Sequence, residues 1–433
     1  MSAFKECVKN IHRVASMVDV DKKLVDDLCK GGDVIEMDFP AMTIRGKKDF
    51  DAVTVLQINP HEDGQPHPRK GGIRCKKYKS KAKMIDMTKV LALDMAKKNI
   101  LADLPFAGGK TCININSSEF TTDELWSIFG GLTVEMLEHN ILDANIYVPA
   151  TDYGTNSEMM KWIYRYYGKL NKIMFRPNAA AVVTGKPVDF DGIPGREDAT
   201  SRGGLIVLRE LLKPTSDLSF AIQGFGNVGR PLAELLNDES FEDMSGKVVA
   251  VSDINSGLYN PNGIPYRELS AYHKENKTFK GCSALGDEIA PDEITGVKSD
   301  VFVTAAQEDL INGKNAKTLK CEWLLELGNS AVTREADEIL NDRNILVIPD
   351  IIANAGGVVV SYLEWRKNRG DILHEVDLKA MVEFVHDELR KVMKKSVEKV
   401  LKTQEKYKNS SLRLAADIRA LTELDRMMKR KNA

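Results

Sequence analysis

The sequence predicts an α/β protein with a mixed α/β N-terminal domain, a doubly wound parallel-sheet domain, and C-terminal helices that pack back. Three observations predict this class. Apolar strands alternate with helical segments from Leu218 onward, a glycine-rich turn follows the first of these strands, and the chain is helical from Leu363 to its end. We expect the domains to cover residues 1–185 and 200–355, with a helical segment at 356–433 that returns to the first domain.

The N-terminal half has the patterns of helices, a strand and two irregular segments. Apolar residues at helical spacing predict a helix pair within 1–30 and a methionine-rich helix at 81–98, whose methionines are expected in the core. The apolar run at 52–61 predicts a strand. Glycine and proline predict a loop at 61–74, and the Gly-, Pro- and Thr-rich stretch at 177–204 is expected to link the two domains.

The C-terminal half contains five segments with strand character, and helical segments lie between them. Strands that alternate with helices form parallel sheets, because each parallel connection needs a crossover. The five segments are 218–223, 247–253, 300–306, 322–329 and 345–357.

The composition excludes several classes of protein. The 433 residues are 43% hydrophobic, and 61 basic residues nearly balance 63 acidic ones, so we expect neither a nucleic-acid nor a membrane partner. No apolar run is long enough for a transmembrane helix, and the N-terminus lacks the pattern of a secretory signal. The six cysteines are scattered without a CxxC pair, which predicts reduced thiols, a cytoplasmic location and no metal site.

A dinucleotide-binding motif follows the first C-terminal strand. In G-x-G-x-x-G the first glycine permits the turn, the second admits the pyrophosphate and the third allows close packing of helix and strand. The pattern therefore predicts a Rossmann-type domain, and its residues are Gly224, Gly226, Asn227, Val228 and Gly229. Asp253 ends the next strand, where a carboxylate binds the ribose hydroxyls and repels a 2′-phosphate. We expect NAD as the cofactor, with NADP as the alternative.

Three lysines in the N-terminal half lie beside glycines or at a helix end. Lys70 precedes a Gly-Gly pair, Lys110 follows another in what we predict to be a glycine turn, and Lys98 ends the methionine-rich helix. Amines clustered in a cleft lower each other's pKa, and such lysines bind carboxylates or exchange protons. Asp152 follows an apolar strand and is a candidate proton-transfer partner. The alternative interpretations are solvated lysines and an aspartate that caps a turn or helix.

Several motifs in order resemble those of the Glu/Leu/Phe/Val dehydrogenase family, most closely its glutamate dehydrogenases. The resemblance runs from about residue 50 to the C-terminus. The matching stretches are RKGGIR (69–74), DLPFAGGK (103–110), VPATDYGTN (148–156), TGKP (184–187), GREDATSRGG (195–204), GFGNVG (224–229), SDINSGLYNPNGI (252–264), EADEIL (335–340) and PDIIANAGGVVVSYLEW (349–365).

The resemblance implies a role for each matching residue. Lys110 resembles the catalytic lysine that activates water, and Asp152 resembles the carboxylate that exchanges protons with the amine. Lys98 is similar to the lysine on the substrate α-carboxylate, while Lys70 and Ser361 match positions that bind the γ-carboxylate. Three residues match positions that line the nicotinamide: Thr200, Asn329 and Asn354. The resemblance further implies an N-terminal substrate and oligomerisation domain, and a homohexamer.

The sequence departs from the family pattern at several motif positions. Ala107 and Thr111 replace glycines around Lys110, and Ser201 stands where glycine is common. The stretch between Lys70 and Lys98 carries extra residues, and LELGNSAVTREAD replaces a Gly-Ala-Asn and Thr-Pro pattern near Asn329.

The leading hypothesis is NAD(P)-dependent, reversible oxidative deamination of L-glutamate to 2-oxoglutarate and ammonia. A dehydrogenase for branched-chain or aromatic amino acids is the nearest alternative, but its apolar pocket has no use for Lys70 and Ser361. A non-catalytic NAD-binding regulatory subunit is the alternative of another class. Retention of both Lys110 and Asp152 argues against it.

Overall fold

The computed structural model describes residues 2–60, 67–171, 178–212, 218–238, 241, 244–372, 377–408 and 410–431. The chain forms two compact units. The first comprises Met1–Arg196, Val358–His386 and Asp417–Ala433, and the second comprises Glu197–Gly357 and Asp387–Ala416.

The first unit contains a five-stranded mixed sheet with the order β1-β2-β4-β3-β5. Strands β1, β2 and β4 pair antiparallel, whereas β4, β3 and β5 pair parallel. One face of the sheet packs on helix α3, and a core of apolar and aromatic side chains joins the sheet to α4 and α5. The elements are α1 (Ala3–Ala15), α2 (Lys22–Lys30), β1 (Asp33–Thr43), β2 (Gly46–Leu56), β3 (Arg69–Cys75), α3 (Lys81–Leu101), β4 (Ala107–Ile113), α4 (Thr122–Glu138), β5 (Tyr147–Thr151) and α5 (Ser157–Asn171).

The second unit contains a seven-stranded sheet with the order β12-β11-β10-β6-β7-β8-β9. The strands from β12 to β7 are parallel, and β8 and β9 extend the sheet antiparallel. The elements are α6 (Ala199–Leu212), β6 (Leu218–Gln223), α7 (Gly229–Leu236), β7 (Gly246–Ser252), β8 (Gly257–Tyr259), α8 (Tyr266–Asn276), β9 (Asp287–Ile289), β10 (Val301–Thr304), β11 (Trp323–Glu326), α9 (Arg334–Asp342), β12 (Leu346–Ile348) and α10 (Asp350–Ala353).

Three long helices complete the chain, and three of the four points at which the chain passes from one unit to the other fall inside them. They are α11 (Gly356–Asn368), α12 (Leu378–Lys406) and α13 (Leu412–Lys431). The predicted fold class is therefore confirmed. None of the helices in the described part of the chain is long and apolar enough to cross a membrane.

Two of the predicted irregular segments are strands. The loop predicted at 61–74 is wrong where β3 begins at Arg69, while 61–66 lie outside the described residues. The glycine turn predicted before Lys110 is wrong as well, because β4 spans that segment. The glycines serve packing instead of turning: a Cβ on Gly108 would lie 2.3 Å from the Ala92 carbonyl oxygen of α3.

Smaller differences concern element ends. Strand β2 ends at Leu56 instead of continuing to residue 61, and α6 begins at Ala199 inside the predicted linker. The fifth predicted strand segment is a strand only at Leu346–Ile348, because Asp350 begins α10 directly afterwards. Strands β8 and β9 are short and were not predicted.

Gly108 provides a test of the packing between β4 and α3. We expect Gly108→Ala to destabilise the protein by about 1–3 kcal/mol, because the methyl group forces the helix and strand apart. Chemical denaturation measures the change. Gly296→Ala is the matched control, since a Cβ there meets nothing within 4 Å, and it should leave the denaturation midpoint unchanged. Equal midpoints for the two variants would contradict this account.

Candidate active site

A buried ion cluster joins strand β4 to the carboxyl ends of β3 and β5 in the first unit. Lys110 on β4 contacts the carboxylate of Asp152, which follows β5. Arg74 on β3 places its Nε 3.6 Å from the same carboxylate oxygen. Tyr153 N donates to the other oxygen of Asp152 at 2.6 Å, which fixes the carboxylate's orientation. The structure thus brings the two predicted catalytic residues together and adds a guanidinium.

Burial and charge shift the pKa values of this pair in defined directions. Burial lowers the pKa of Lys110, and the nearby Arg74 lowers it further, although Asp152 opposes both effects. Burial by itself would raise the pKa of Asp152, but Lys110 and Arg74 outweigh it and hold that pKa below its usual range. The two protonation states are coupled: loss of the Lys110 proton removes much of the restraint on Asp152.

Lys70 is a second buried lysine of this unit, with 1% of its surface exposed. Its ammonium donates to the Val148 carbonyl oxygen at 3.0 Å. No other acceptor for it occurs among the described residues, so two of its three N–H bonds lack a partner. Burial lowers the pKa of Lys70 well below its usual value. Glu364 opposes this shift, whereas Arg196, Lys186 and Lys110 add to it. Such an ammonium is suited to an incoming carboxylate.

The other two predicted substrate residues are also buried in the first unit. Lys98 lies in the last turn of α3, which packs on β4, and Ser361 lies on α11. One turn after Ser361, Glu364 forms a fully buried ion pair with Lys186 at 2.7 Å and accepts the backbone N–H of Gly185. This ion pair anchors the helix that carries Ser361.

The replacement of a glycine by Thr111 leaves Lys110 free to reach Asp152. Side chains alternate between the faces of a strand, so Thr111 and Lys110 lie on opposite faces of β4. Thr111 Oγ1 forms hydrogen bonds with Thr54 Oγ1 at 2.8 Å and with Tyr147 OH at 3.0 Å. The threonine therefore joins three strands of the sheet behind the ion cluster.

The glycine motif of the second unit has the geometry of a dinucleotide loop. Gly224 has φ 103° and a Cβ there would lie 2.7 Å from the Ala305 carbonyl oxygen, while a Cβ on Gly229 would lie 1.8 Å from Gly224 O. Around Gly226, by contrast, no atom lies within 4 Å of such a Cβ. Val228 precedes α7 and provides no side-chain cap, which suits a helix end that receives phosphate.

Ser201 supports this loop from α6. Its Oγ donates to the Val228 carbonyl oxygen at 2.7 Å. The serine at a usual glycine position thus adds a hydrogen bond directly behind the phosphate-facing backbone. The serine at a usual glycine position was visible in the sequence, but the hydrogen-bond partner of its hydroxyl group could not be inferred from it.

Asp253 lies directly after β7, as predicted, and its carboxylate is oriented by its own turn. One oxygen accepts the backbone N–H groups of Asn255 and Ser256 at 2.6 and 2.8 Å. The other lies 3.4 Å from His273 Nε2 of α8. Burial lowers the pKa of His273, although Asp253 opposes this shift. The sequence around Asp253 offered no cation, yet the fold places this titratable ring beside it.

The predicted nicotinamide residues include two asparagines that contact each other. Asn354 Nδ2 donates to Asn329 Oδ1 and to the Leu327 carbonyl oxygen, both at 3.1 Å. Thr200 lies in the first turn of α6 and is partly buried. Three buried oxygen atoms in the described chain lack hydrogen-bond partners near the carboxyl ends of β6, β10 and β12, and they belong to Gln223, Thr304 and Asn354. Such acceptors fit the amide and hydroxyl groups of a dinucleotide.

Sequence reasoning missed Arg74, although the residue lies in a quoted motif. A single arginine in the small and apolar stretch GGIRC is a detectable signal, since strands rarely bury an isolated guanidinium. It missed Lys186 and Glu364 because 178 positions separate the partners.

Substitution of Gly226 tests dinucleotide binding without changing the stability of the loop. We expect Gly226→Ala to unfold within about 0.5 kcal/mol of the wild type, because the methyl group enters open space. The same methyl group blocks the approach of the pyrophosphate, so NADH affinity should fall about tenfold or more. Fluorescence titration and chemical denaturation measure the two quantities. A variant that binds NADH as the wild type does would contradict the predicted pose.

Two family descriptions together cover most of the chain. "Glutamate/Leucine/Phenylalanine/Valine dehydrogenase" matches residues 192–432, and "Glu/Leu/Phe/Val dehydrogenase, dimerisation domain" matches residues 42–169. A glutamate dehydrogenase of Thermotoga maritima is 34% identical over 429 residues, which is 97% of this chain and 96% of the relative.

Solved structures of similar proteins agree with this result. Glutamate dehydrogenase from Peptoniphilus asaccharolyticus is 30% identical with a TM-score of 0.79, covering 100% of this chain and 99% of that one. The fold is also similar to hetero-hexameric glutamate dehydrogenase from Thermus thermophilus, at 24% identity and a TM-score of 0.86, with 99% and 97% of the two chains covered. The motifs, the fold and these matches lead to one conclusion: the chain belongs to the Glu/Leu/Phe/Val dehydrogenase family and is an amino-acid dehydrogenase.

Proposed function

We propose that this enzyme catalyses the reversible oxidative deamination of L-glutamate with NAD as cofactor. L-Glutamate, water and the oxidised cofactor give 2-oxoglutarate, ammonium, the reduced cofactor and a proton. The observation that carries the proposal is the buried Lys110–Asp152 ion pair beside Arg74, with Lys70 buried in the same unit.

Lys110 and Asp152 are the proposed proton-transfer pair. Burial lowers the pKa of Lys110, which favours its neutral amine, and this amine would remove a proton from the attacking water. Once Lys110 is neutral, Asp152 loses an opposing charge and becomes a better acceptor for a proton of the substrate amine. When bound, the oxidised nicotinamide accepts the hydride that leaves C2 of the substrate.

Lys70, Lys98 and Ser361 are the proposed substrate-binding residues. Lys98 would bind the α-carboxylate, and Lys70 with Ser361 the γ-carboxylate. The unfilled hydrogen-bonding capacity of the buried Lys70 ammonium supports this assignment, because an acidic side chain neutralises it and an apolar one does not. This is the physical reason for preferring glutamate over branched-chain or aromatic amino acids.

The cofactor half of the proposal concerns the second unit. Gly224, Gly226, Asn227, Val228 and Gly229 would bind the pyrophosphate. Asp253 would bind the adenosine ribose, and Thr200, Asn329 and Asn354 the nicotinamide. The carboxylate of Asp253 favours NAD, and NADP is the alternative because His273 lies close enough to supply a positive charge when protonated.

We further propose a homohexamer assembled through the first unit. This rests on the match of residues 42–169 to the family's dimerisation domain and on the hexameric assembly named for the Thermus relative.

The alternative of a non-catalytic regulatory subunit is disfavoured, because such a subunit has no chemical use for the paired Lys110 and Asp152.

An absorbance assay tests the substrate and the cofactor together. Loss of NADH or NADPH is followed in the presence of ammonium with a panel of 2-oxo acids. We expect turnover with 2-oxoglutarate and NADH, and little with 4-methyl-2-oxopentanoate or phenylpyruvate. Activity with either of those and none with 2-oxoglutarate would overturn the assignment to glutamate. No turnover with any substrate, despite NADH binding, would favour the regulatory subunit.

Substitution of the ion pair tests the proposed chemistry. We expect Lys110→Ala and Asp152→Ser each to lower kcat by about 10³-fold or more, because each removes a proton-transfer group. NADH binding, measured by fluorescence, should be unchanged. Lys81→Ala is the matched control, since Lys81 pairs with Glu36 and Asp38 at the surface of the same unit. Rates of either site variant close to the wild-type rate would exclude the assigned role.

A further inference from the structure

Arg413 is surrounded by three carboxylates from three different elements of the second unit. Its Nη2 lies 2.8 Å from Glu326 Oε2, at the end of β11, and its Nε lies 3.0 Å from Asp337 on α9. Its Nη1 lies 3.8 Å from Asp350, the first residue of α10. The planar guanidinium therefore directs a different nitrogen at each carboxylate, which a lysine could not do.

Glu326 connects this cluster to the loop that carries Asn329. Its side chain is fully buried, and Oε1 accepts the backbone N–H of Val332 at 2.7 Å. Because Glu326 precedes the loop and Val332 ends it, the carboxylate closes the loop on itself. Within the loop, Ser330 has the left-handed φ of 50° that a serine seldom adopts, and its N–H donates to Asp350 Oδ2 at 3.0 Å.

The same carboxylates hold the segment that carries Asn354. Glu326 Oε2 accepts the Asp350 N–H at 3.0 Å, which fixes the start of α10. Asn354 directly follows that helix, and its amide donates to Asn329 Oδ1 at 3.1 Å. Its own Oδ1 is buried without a hydrogen-bond partner in the described chain. Both asparagines thus lie on segments that the Arg413 cluster fixes.

We propose that Arg413 is a positioning residue for the nicotinamide half of the cofactor site. Its guanidinium holds the carboxyl groups of Glu326 and Asp350 where they accept the backbone N–H groups of Val332, Asp350 and Ser330, on either side of the asparagine pair. This inference rests on the proposed assignment of Asn329 and Asn354 to the nicotinamide.

The loop between Glu326 and Val332, which carries Asn329, is called the asparagine loop below. Loss of Arg413 should loosen this loop without unfolding it. Without the guanidinium, the buried carboxyl groups would face each other without a counter-charge and would move apart. Glu326 would then be a poorer acceptor for Val332 and Asp350 N–H, and Asp350 a poorer acceptor for Ser330 N–H. The loop would stay attached to the sheet, because Gly328 N donates to Thr304 O at 2.7 Å and Ile311 N donates to Ala331 O at 2.9 Å.

Two probes separate the halves of the cofactor site in the full-length protein. NADH contains the nicotinamide, whereas ADP-ribose keeps the adenosine, the diphosphate and the second ribose without it. In Arg413→Gln we expect NADH affinity to fall about tenfold, the size of a coupling between neighbouring groups, while ADP-ribose affinity stays within about twofold. Calorimetric titration measures both, and kcat at saturating NADH should fall as well.

Arg343→Gln is the matched control for a merely structural effect. The Arg343 guanidinium donates to the carbonyl oxygens of Ala316 and Leu319 in the same unit, and among the described residues it forms no hydrogen bond or ion pair with the asparagine loop. Its loss should lower Tm and leave the ratio of the two affinities unchanged. If Arg413→Gln also leaves that ratio unchanged, the proposal is overturned.

A conservative variant covers the case in which Arg413→Gln does not fold. Arg413→Lys keeps one positive charge and loses the forked geometry, so NADH affinity should fall about threefold while ADP-ribose affinity does not change. Equal losses for both probes would overturn the proposal. Failure of the proposed function gives a different result, because a wild-type protein that binds neither NADH nor ADP-ribose lacks the cofactor site itself.

Discussion

The burial of three cations on the neighbouring strands β3 and β4 is the constraint on which the first unit depends. Lys70, Arg74 and Lys110 are all buried there, and a buried cation is tolerated only with a counter-charge or hydrogen-bond acceptors. Asp152 supplies the counter-charge for two of them, and Val148 supplies an acceptor for the third. Burial lowers the pKa of both Lys110 and Lys70, and neighbouring cations add to each shift, so that Lys70 is suited to an incoming anion. One electrostatic imbalance therefore underlies both the proposed proton transfer and the proposed substrate binding.

The cluster can form only because glycines bring the surrounding elements close together. A Cβ on Gly71 would lie 1.7 Å from the Gly109 carbonyl oxygen, and one on Gly109 would lie 2.8 Å from the Tyr147 ring. Local sequence rules interpret paired glycines as turns, and for that reason the predicted loop was wrong from Arg69 onward and the predicted turn before Lys110 was wrong. The periodic helices and the parallel strands of the second unit were predicted correctly, because their signals are local. Glycines that serve tertiary contacts look the same in sequence as glycines that turn the chain.

Residues that act on the site from a distance could not be predicted from the sequence. The hydrogen bond of Ser201 and the ion pair of Arg413 with Glu326 join partners 27 and 87 positions apart, which the sequence does not pair. The sequence did place Asp152 directly after a strand and the glycine motif in the turn between β6 and α7, since both have local signals, but it placed Lys110 after a turn instead of inside β4. The sequence did not predict which distant side chains the fold brings into contact with these residues.

Substitutions at motif positions add support behind the site instead of altering its reactive face. Thr111 faces away from Lys110 and joins three strands through hydroxyl groups, and Ser201 lies behind the Val228 carbonyl group. A residue that replaces glycine there adds a side chain to a packed region, which costs stability unless the side chain makes favourable contacts. Both hydroxyl groups make such contacts through hydrogen bonds. The reactive groups can then keep their positions while the supporting positions vary. The proposed preference for an acidic substrate accordingly rests on the buried Lys70, which neither of these two substitutions contacts.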